Sequence, residues 1–311
     1  MTTKGPATLS PPTYQLENTG EWLSHLEKEG YVVLANAISP ELAEKAKTMF
    51  LDEIHTISPG FDPKDTTTWT TTNTPIVWGK GSATFKGMAQ SNSNWLLRRE
   101  SKARLAFAKA YGLEPDQLAT SFDGFSFFVD KKQQSKPWPH QDQRSSDQRR
   151  SLQGILNLLP CGELDAGFVC VPKSHVEYTA PDQKTDWVLL PEDSPYQQKL
   201  VKLLVPERSL ILFHSKLIHA NTGMSKKHPA GQSLNRLSAY ITFVPKDRQT
   251  MESKIKRLAG YYTGNCTSHW ADRYEEKKLP FHIATRFKTY NHLKPKLEED
   301  GSIPQDRLVL F

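Results

Sequence analysis

The sequence lacks any long run of apolar residues. None of its 311 residues lies in a stretch that approaches the apolar core of a membrane helix, which takes roughly 18 to 20 residues. Residues 1–15, MTTKGPATLSPPTYQ, hold no apolar core of the kind that a signal peptide needs. We therefore expect a protein without a membrane span, located in the cytoplasm rather than secreted.

Cysteine is also scarce. The chain has three cysteines, Cys161, Cys170 and Cys266, and no two of them form a Cys-x-x-Cys pair. An odd number without that spacing predicts neither a disulfide framework nor a zinc finger. A reducing compartment fits this pattern.

A massed basic segment is absent as well. The net charge is +6, but the basic residues are scattered among acidic ones, as in YEEKK. Nucleic-acid-binding proteins usually concentrate their charge on one face or in one run. We expect no nucleic-acid partner and take the excess charge to favour an anionic small molecule, although a generally basic surface explains it equally well.

The patterns that are present predict one folded domain. Hydrophobic residues make up 37% of the chain, with seven tryptophans, which is enough to bury a core. After a flexible arm over residues 1–16, we expect a single domain over residues 17–311. Helical patterns occupy residues 17–112, short strands residues 120–245, and a mixed polar extension residues 246–311. This order favours a mainly β fold with flanking helices, a double-stranded β-helix or cupin-like jelly-roll barrel.

One segment between the helical patterns has little periodicity. Residues 56–94 are rich in Thr, Ser, Gly and Asn. Irregular segments of this length are uncommon in compact domains and are often functional. We expect this segment to cover the functional site.

The segment WPHQDQ places two metal-binding side chains two residues apart. Pro139 favours an extended backbone at the residue before it, so His140 and Asp142 are expected on one face of a strand. An imidazole and a carboxylate on one strand supply two ligands of a 2-His-1-carboxylate iron site, which leaves metal positions open. The plain alternative is a surface pair on a strand, because His-x-Asp arises by chance in many proteins.

The third ligand has two candidates in LILFHSKLIHANTG. His214 ends the strand-like run SLILF, and His219 follows five residues later. Periodicity does not decide between them. For His219 the plain alternative is a histidine packed in the core.

The segment NRLSAYITF predicts an arginine that points into the fold. Its alternation places Arg236, Ser238 and two further polar residues on one face, with apolar residues on the other. A buried guanidinium without an anion is costly, and its fork of donors matches a carboxylate. The distal carboxylate of 2-oxoglutarate would satisfy both Arg236 and Ser238, whereas a structural ion pair is the alternative.

The chain resembles the phytanoyl-CoA dioxygenase family of iron and 2-oxoglutarate oxygenases. The resemblance spans residues 18–245. It rests on five segments, namely EGYVVLANAIS, WPHQDQ, LQGILNLLPCGELDAGFVCVPKSH, SLILFHSKLIHANTG and NRLSAYITF.

The resemblance implies an assignment for the sites. In the family's pattern the metal ligands fall on His140, Asp142 and His219, and the co-substrate arginine falls on Arg236. An enzyme of this kind holds Fe(II), uses 2-oxoglutarate and O2, and releases succinate and CO2 while it oxidises a small molecule. Related halogenases replace the carboxylate ligand with a small residue, so Asp142 favours hydroxylation or a related oxidation.

Two other functions stay open at the level of sequence. A catalytically silent barrel could keep the fold for binding, or a hydroxylase could act on a macromolecule. The intact ligand set argues against the first function. The second has only the basic composition in its favour.

Six more residues are candidates for contacts with co-substrate or substrate. Gln153 and Asn157 lie four apart on SLQGILNLL, hence on one strand face, and are expected to contact the co-substrate or the substrate. An internal polar network explains them equally well. For Arg144 the alternative is a solvated loop. The candidates for substrate contact are Trp138, Arg144, His269 and Trp270.

Overall fold

The computed structural model describes residues 5–130, 132–133, 137–181, 184–229, 233–279 and 281–311. In this part of the chain no helix is both long enough and apolar enough to cross a membrane. The strands are β1 (Ala7–Leu9), β2 (Thr13–Tyr14), β3 (Tyr31–Leu34), β4 (Ser82–Ala83), β5 (Leu118–Thr120), β6 (Phe125–Phe128), β7 (His140–Gln141), β8 (Leu152–Asn157), β9 (Gly167–Cys170), β10 (Val188–Leu189), β11 (Val201–Leu203), β12 (Leu210–His214), β13 (His219–Thr222), β14 (Arg236–Tyr240) and β15 (Phe243–Pro245).

Helices flank these strands. The α-helices are α1 (Thr19–Glu29), α2 (Pro40–Ile57), α3 (Asn92–Glu100), α4 (Ala103–Tyr111), α5 (Ser174–Glu177), α6 (Met251–Tyr262), α7 (Phe281–Phe287) and α8 (Gln305–Leu308). Short 3-10 helices cover Thr66–Thr68, Trp78–Lys80, Met88–Gln90, Pro115–Gln117, Pro195–Lys199 and Lys246–Arg248.

The N-terminal helices begin and end at residues that are well suited to capping a helix. Ser39 caps α2 by accepting a hydrogen bond from a backbone N–H of the first turn, and Pro40 follows at the first helical position. Gly30 ends α1 with a φ of 83°, which glycine adopts without strain. Gly112 ends α4 in the same left-handed region. These caps fix where the helices begin and end.

The strands form two large sheets that enclose an apolar core. One has six strands in the order β1-β11-β9-β13-β7-β10, and the other has seven in the order β2-β3-β12-β8-β14-β6-β4. Strands β5 and β15 form a separate pair. The pairings at the centre of each sheet are antiparallel, while β1 and β2 join their neighbours in parallel. This confirms a mainly β fold of jelly-roll type with flanking helices.

The sheets are open at their edges. Within the described residues they do not close into the barrel that the sequence analysis expected. Each sheet ends on strands of only two or three residues, β1 and β10 in one and β2 and β4 in the other. Such short edge strands offer few free backbone groups for pairing across to the second sheet. Side-chain packing between the sheets holds them together instead.

Alternation along β12 places its apolar side chains in two different clusters of the core. On β12, Leu210 and Leu212 pack into the cluster between the seven-stranded sheet and the helices, together with Trp22 of α1. Ile211 and Phe213 of the same strand pack into the cluster between the two sheets. The inner face of the seven-stranded sheet therefore packs against the six-stranded sheet. Polar side chains on that inner face lie in the space between the two sheets.

The N-terminal segment belongs to the fold. The sequence analysis expects a flexible arm over residues 1–16, but Ala7–Leu9 pairs with β11 and Thr13–Tyr14 pairs with β3. Edge pairing uses backbone groups, so a segment rich in Thr and Pro can join a sheet without an apolar pattern. For residues 7–14 the expectation of an arm is corrected accordingly.

The segment over residues 56–94 has little regular structure, as its composition predicts. It contains three of the 3-10 helices and β4, which pairs with β6 at the edge of the seven-stranded sheet. Gly81 permits this approach, because a Cβ atom there would lie 2.2 Å from the ring of Phe128. The segment thereby reaches the open end of the space between the sheets.

Candidate metal centre and active site

Three potential metal ligands meet at the centre of the six-stranded sheet. His140 begins β7, His219 begins β13, and their Cα atoms are partners across these strands. Asp142 follows β7 directly. One ligand atom from each of the three lies within 4.8 Å of the other two, and among the described residues this is the group of three that approaches so closely.

The distances between the ligand atoms suit one small metal ion. One carboxylate oxygen of Asp142 lies 3.6 Å from Nε2 of His140, and the other lies 3.3 Å from Nε2 of His219. Two ligands that bind a metal at about 2.1 Å and at right angles lie about 3 Å apart. Two imidazoles and one carboxylate are also the ligand set of non-haem Fe(II) oxygenases. The residues present therefore fit iron.

Backbone carbonyls orient both imidazoles. Nδ1 of His140 donates to the carbonyl of Trp138 at 2.9 Å, and Nδ1 of His219 donates to the carbonyl of Leu217 at 2.9 Å. A carbonyl oxygen only accepts, so each Nδ1 carries the proton. Each Nε2 keeps its lone pair on the side of Asp142. This is the orientation and tautomer that a metal-binding histidine needs.

The electrostatics of the cluster favour neutral imidazole beside an ionised carboxylate. Burial lowers the pKa of His140 to about 4. Burial would raise the pKa of Asp142, but its interactions with His140 and His219 outweigh that effect and hold this pKa well below its usual range. A divalent metal needs this protonation state in its ligands, because protons compete with it for the same lone pairs.

The structure brings His219, and not His214, to the other ligands. His214 ends β12 in the seven-stranded sheet, and its Nε2 lies 3.6 Å from Glu27 in a separate cleft. Its ring stacks on His175 with centroids 4.8 Å apart. A tight turn after β12 then carries the chain to the six-stranded sheet, where His219 lies beside His140. The turn separates two histidines that spacing alone could not distinguish.

Gln153 supports the carboxylate ligand from the opposite sheet. Its Nε2 donates to Oδ2 of Asp142 at 3.0 Å and lies 3.3 Å from Oγ of Ser215. The carbonyl of Ser215 accepts a hydrogen bond from the N–H of Asp142 at 2.9 Å. Asp142 is thus fixed at both its backbone and its side chain. The expectation that Gln153 also contacts the co-substrate stays a prediction.

Arg236 lies on the inner face of β14 and is 4% exposed. Its Nη1 donates to Oδ1 of Asn221 at 2.9 Å, and its Nε lies 3.4 Å from Oγ of Ser238. The hydroxyl of Ser238 in turn donates to Oδ1 of Asn157 at 3.0 Å. Nη2 of Arg236 is buried without a hydrogen-bond partner. One side of the guanidinium therefore has a free donor.

The guanidinium of Arg236 has no carboxylate partner in the part of the chain that the structure describes. Its side-chain partners there are Asn221 and Ser238, so the alternative of a structural ion pair finds no support among these residues. Burial lowers the pKa of Arg236, which reflects the cost of keeping its charge away from water. A bound anion would offset that cost.

A cavity of about 700 Å³ opens above the metal ligands. Its wall contains many of the residues that the sequence analysis selects. These are Trp138, His140, Asp142, Arg144, Gln153, His219, His269 and Trp270. Arg236 reaches the same wall through Asn221, which lines the cavity.

Sequence reasoning missed other residues of this wall. Asn221 lies two residues after His219 on β13 and donates to the hydroxyl of Tyr240 at 2.8 Å, so alternation from a known ligand could have found it. Asp123 and Lys277 also line the cavity and form an ion pair. Their positions in the chain are far apart, and no spacing in the sequence could have connected them.

Trp138 forms a stack at the metal centre. Its ring is nearly parallel to that of His140, with centroids 4.7 Å apart. Nζ of Lys80, from the segment over residues 56–94, lies 4.5 Å from the Trp138 ring centroid. Trp187 also lies near this ligand, with its centroid 5.8 Å from that of His140. Two indoles of the cavity wall therefore lie beside His140.

Ion pairs form one rim of the cavity. Nε of Arg144 lies 3.4 Å from Asp186, and Nη1 of Arg273 lies 2.5 Å from the same carboxylate. The guanidinium of Arg273 also covers the ring of Trp270 at 4.3 Å. The predicted substrate residues Arg144 and Trp270 thus belong to one network, which joins the loop after β7 to the C-terminal region.

The model of the phytanoyl-CoA dioxygenase (PhyH) family matches residues 26–227, which is more than half of the chain. The chain belongs to the phytanoyl-CoA dioxygenase family. The match contains the three metal ligands and Gln153. Arg236, His269 and Trp270 follow its end and belong to the part of the chain that the family model does not cover.

Several known proteins resemble the chain in sequence or in fold. "Ava biosynthesis cluster protein O" of Aspergillus versicolor is 29% identical over 254 residues, which cover 74% of this chain and 79% of that protein. The structure of the epimerase SnoN in complex with Fe3+, alpha-ketoglutarate and nogalamycin RO has a TM-score of 0.53 at 12% identity, covering 74% of this chain and 84% of that one. The alpha-ketoglutarate-dependent carbocyclase SnoK from nogalamycin biosynthesis has a TM-score of 0.53 at 13% identity, covering 80% and 94%.

Family membership and the His-Asp-His site together establish the kind of protein. The chain is a non-haem iron enzyme of the phytanoyl-CoA dioxygenase family, for which 2-oxoglutarate is the co-substrate. The alternative function of a catalytically silent binding protein is therefore not supported.

Proposed function

We propose that the chain is an Fe(II)- and 2-oxoglutarate-dependent dioxygenase that hydroxylates a small molecule and releases succinate and CO2. The observation that carries this proposal is Arg236, a buried cation with a free Nη2 donor on the sheet opposite the metal ligands. A buried guanidinium of this kind needs an anion. 2-Oxoglutarate has one carboxylate for the arginine and a second end for the metal.

The residues of the chain would hold and orient the reactants. When bound, iron with 2-oxoglutarate and O2 supplies the oxidising chemistry. His140, Asp142 and His219 would hold the metal from one side and leave its other positions open. Arg236 would bind the distal carboxylate through its free Nη2 donor. The Ser238 hydroxyl, which accepts from Nε of Arg236 and donates to Asn157, would hold the guanidinium in place.

A small molecule is the substrate that the cavity supports best. Its volume of about 700 Å³ is typical of sites for drug-sized ligands, which range over roughly 300–1,000 Å³. The names of two similar proteins point the same way, because one belongs to a biosynthesis cluster and the other is in complex with nogalamycin RO. We therefore propose a biosynthetic intermediate rather than a macromolecule as substrate.

An anaerobic titration tests the proposal. Wild-type protein with Fe(II) is titrated with 2-oxoglutarate, and we expect the weak visible charge-transfer band of the chelated metal to appear. His219→Ala should abolish the band. Arg236→Ala should require at least about 30-fold more 2-oxoglutarate, since loss of a buried charge pairing costs several kcal/mol.

His214→Ala is the matched control, because this histidine lies five residues from His219 but in a separate cleft. We expect it to give the wild-type band at the wild-type concentration of 2-oxoglutarate. Absence of the band in wild-type protein would contradict the proposed co-substrate. An unchanged titration with Arg236→Ala would contradict the assignment of the arginine.

The type of oxidation needs a separate measurement. Substrates found by release of succinate are turned over, and the product mass is compared with that of the substrate. A gain of one oxygen atom supports hydroxylation. A loss of two hydrogen atoms indicates desaturation or ring closure, and an unchanged mass indicates epimerisation; either result would overturn the hydroxylation while leaving the cofactor assignment in place.

A further inference from the structure

One wall of the cavity carries an ion pair that the proposed reaction does not use. Nζ of Lys277 lies 2.8 Å from Oδ1 of Asp123, and both residues line the cavity. Asp123 is only 7% exposed. The Lys277 side chain is 38% exposed, and a buried carboxylate paired with an ammonium that water screens gains little net stability. Stability alone is therefore a weak explanation for the pair.

Asp123 presents a free acceptor at a rigid position. The N–H of Gly124 and Nζ of Lys277 both donate to Oδ1, at 2.9 Å and 2.8 Å, and among the described residues none donates to Oδ2. The Asp123 carbonyl accepts hydrogen bonds from Asn94 and Arg98, each at 2.8 Å. Backbone and side chain are thus both held, and one carboxylate oxygen stays available.

His269 adds a second polar group to the same wall. It lines the cavity, is 9% exposed, and its Nε2 is buried without a hydrogen-bond partner. No carboxylate among the described residues forms a salt bridge with it, so burial favours the neutral ring. A neutral imidazole offers one donor and one acceptor. A buried nitrogen without a partner, on a residue that lines the cavity, is explained by a ligand that pairs with it.

The charges of this wall limit what it can bind. Asp123 and Lys277 cancel each other, and His269 is neutral. Because the pair carries no net charge, a charged group would leave water without gaining a full counter-charge here. A neutral group that donates a hydrogen bond avoids that cost, and it finds an acceptor in the free Asp123 oxygen.

We propose that Asp123, Lys277 and His269 form a recognition site for a neutral hydrogen-bond donor of the substrate, either a hydroxyl or an amide N–H. This site determines which end of the substrate faces the metal. The proposal rests on the proposed function in that the cavity is the substrate cavity. His269 and Lys277 follow residue 227, so the part of the chain beyond the family match would contribute to substrate choice.

Matched probes test this proposal without knowledge of the natural substrate. The probes are benzyl alcohol, benzamide, benzoate, benzylamine and toluene, because Trp138 and Trp187 in the wall suit an aromatic ring. Their binding to the full chain, loaded with Zn(II) and 2-oxoglutarate to prevent turnover, is measured by saturation-transfer NMR. We expect benzyl alcohol, benzamide or both to bind about tenfold more tightly than the other three, as one added hydrogen bond to a charged group allows.

Two variants show whether these residues cause the preference. Asp123→Leu combined with Lys277→Met removes both charges at similar volume, a replacement that often preserves stability. His269→Phe removes the imidazole and keeps a ring. In each variant we expect the preference for the donors to fall to about twofold or less, with toluene unchanged. If the double variant does not fold, His269→Phe decides.

The matched control replaces an exposed ion pair on α6 in the same way, Glu252→Leu with Lys256→Met, and should keep the preference. Tighter binding of benzoate or benzylamine, equal binding of all five probes, or a preference that survives in the variants would overturn the proposal. A donor preference in protein that shows no charge-transfer band with Fe(II) would instead overturn the proposed function alone.

Discussion

At the scale of single residues, the metal centre depends on neighbours that hold the ligands. Gln153 does so from the opposite sheet, donating to Asp142 at 3.0 Å. We predict that Gln153→Leu lowers metal affinity by about 10- to 100-fold, the usual effect of losing a bond that orients a ligand. Competition titrations with Co(II) or Mn(II) measure this.

The control for that variant is Gln148→Leu. Gln148 lies in the loop after the metal strand, but it is exposed and donates to the carbonyl of Ser145. Its replacement should leave the affinity unchanged. Wild-type affinity in Gln153→Leu would show that the bond to Asp142 contributes nothing to metal binding.

Single residues also show where reasoning from sequence ends. Alternation along NRLSAYITF correctly predicts that Arg236 and Ser238 share the inner face of a strand. That prediction succeeds because a strand has a period of two and one apolar face. The pair of Asp123 with Lys277 could not be predicted, since the contact depends on tertiary folding and neither residue lies in a recognisable motif.

At the scale of elements, β8 is the strand on which the site depends most. It pairs with β12 on one side and β14 on the other, and it carries Gln153. Gly154 allows close packing there, because a Cβ atom would lie 2.4 Å from the carbonyl oxygen of Ile241 and 3.0 Å from the ring of Phe107. We predict that Gly154→Ala costs about 1–3 kcal/mol of unfolding free energy through overpacking. Urea unfolding measures the change.

Gly20→Ala provides the comparison for the same substitution. Gly20 lies in α1, and no atom lies within 4 Å of a Cβ placed there. Alanine favours the helix and reduces the entropy of the unfolded chain, so this variant should be as stable as wild type or slightly more stable. Equal stability of both variants would mean that β8 moves to make room at Gly154.

The choice between His214 and His219 is an element-scale question too. Both follow the same strand-like run, and periodicity treats them alike. The turn between β12 and β13 transfers the chain from one sheet to the other, and this places His219 beside His140. Only the family pattern or the folded chain contains that information.

At the scale of the whole molecule, the site exists because two sheets meet. Strands β7 and β13 of the six-stranded sheet carry His140 and His219, and Asp142 directly follows β7. The seven-stranded sheet carries Gln153 and Arg236. The segment over residues 56–94 and the C-terminal region then complete the cavity wall. The sequence predicts residues from both parts: composition points to the segment over residues 56–94, and His269 and Trp270 are among the candidates for substrate contact.

This arrangement predicts that the metal stabilises the folded chain first, and that the co-substrate adds to this stability only after the metal has bound. Ligands that bind only the folded state raise its stability by mass action, by about 2.7 kcal/mol at 100 times the dissociation constant. We expect Mn(II) to raise Tm, and 2-oxoglutarate to raise it further only when metal is present, because the co-substrate would bridge the metal and Arg236. Differential scanning fluorimetry measures both shifts, and EDTA should remove both. In Arg236→Ala the metal shift should persist, and the co-substrate shift should require at least about 30-fold more 2-oxoglutarate. A co-substrate shift that survives EDTA, or one that keeps its wild-type concentration dependence in Arg236→Ala, would mean that 2-oxoglutarate binds somewhere other than between the two sheets.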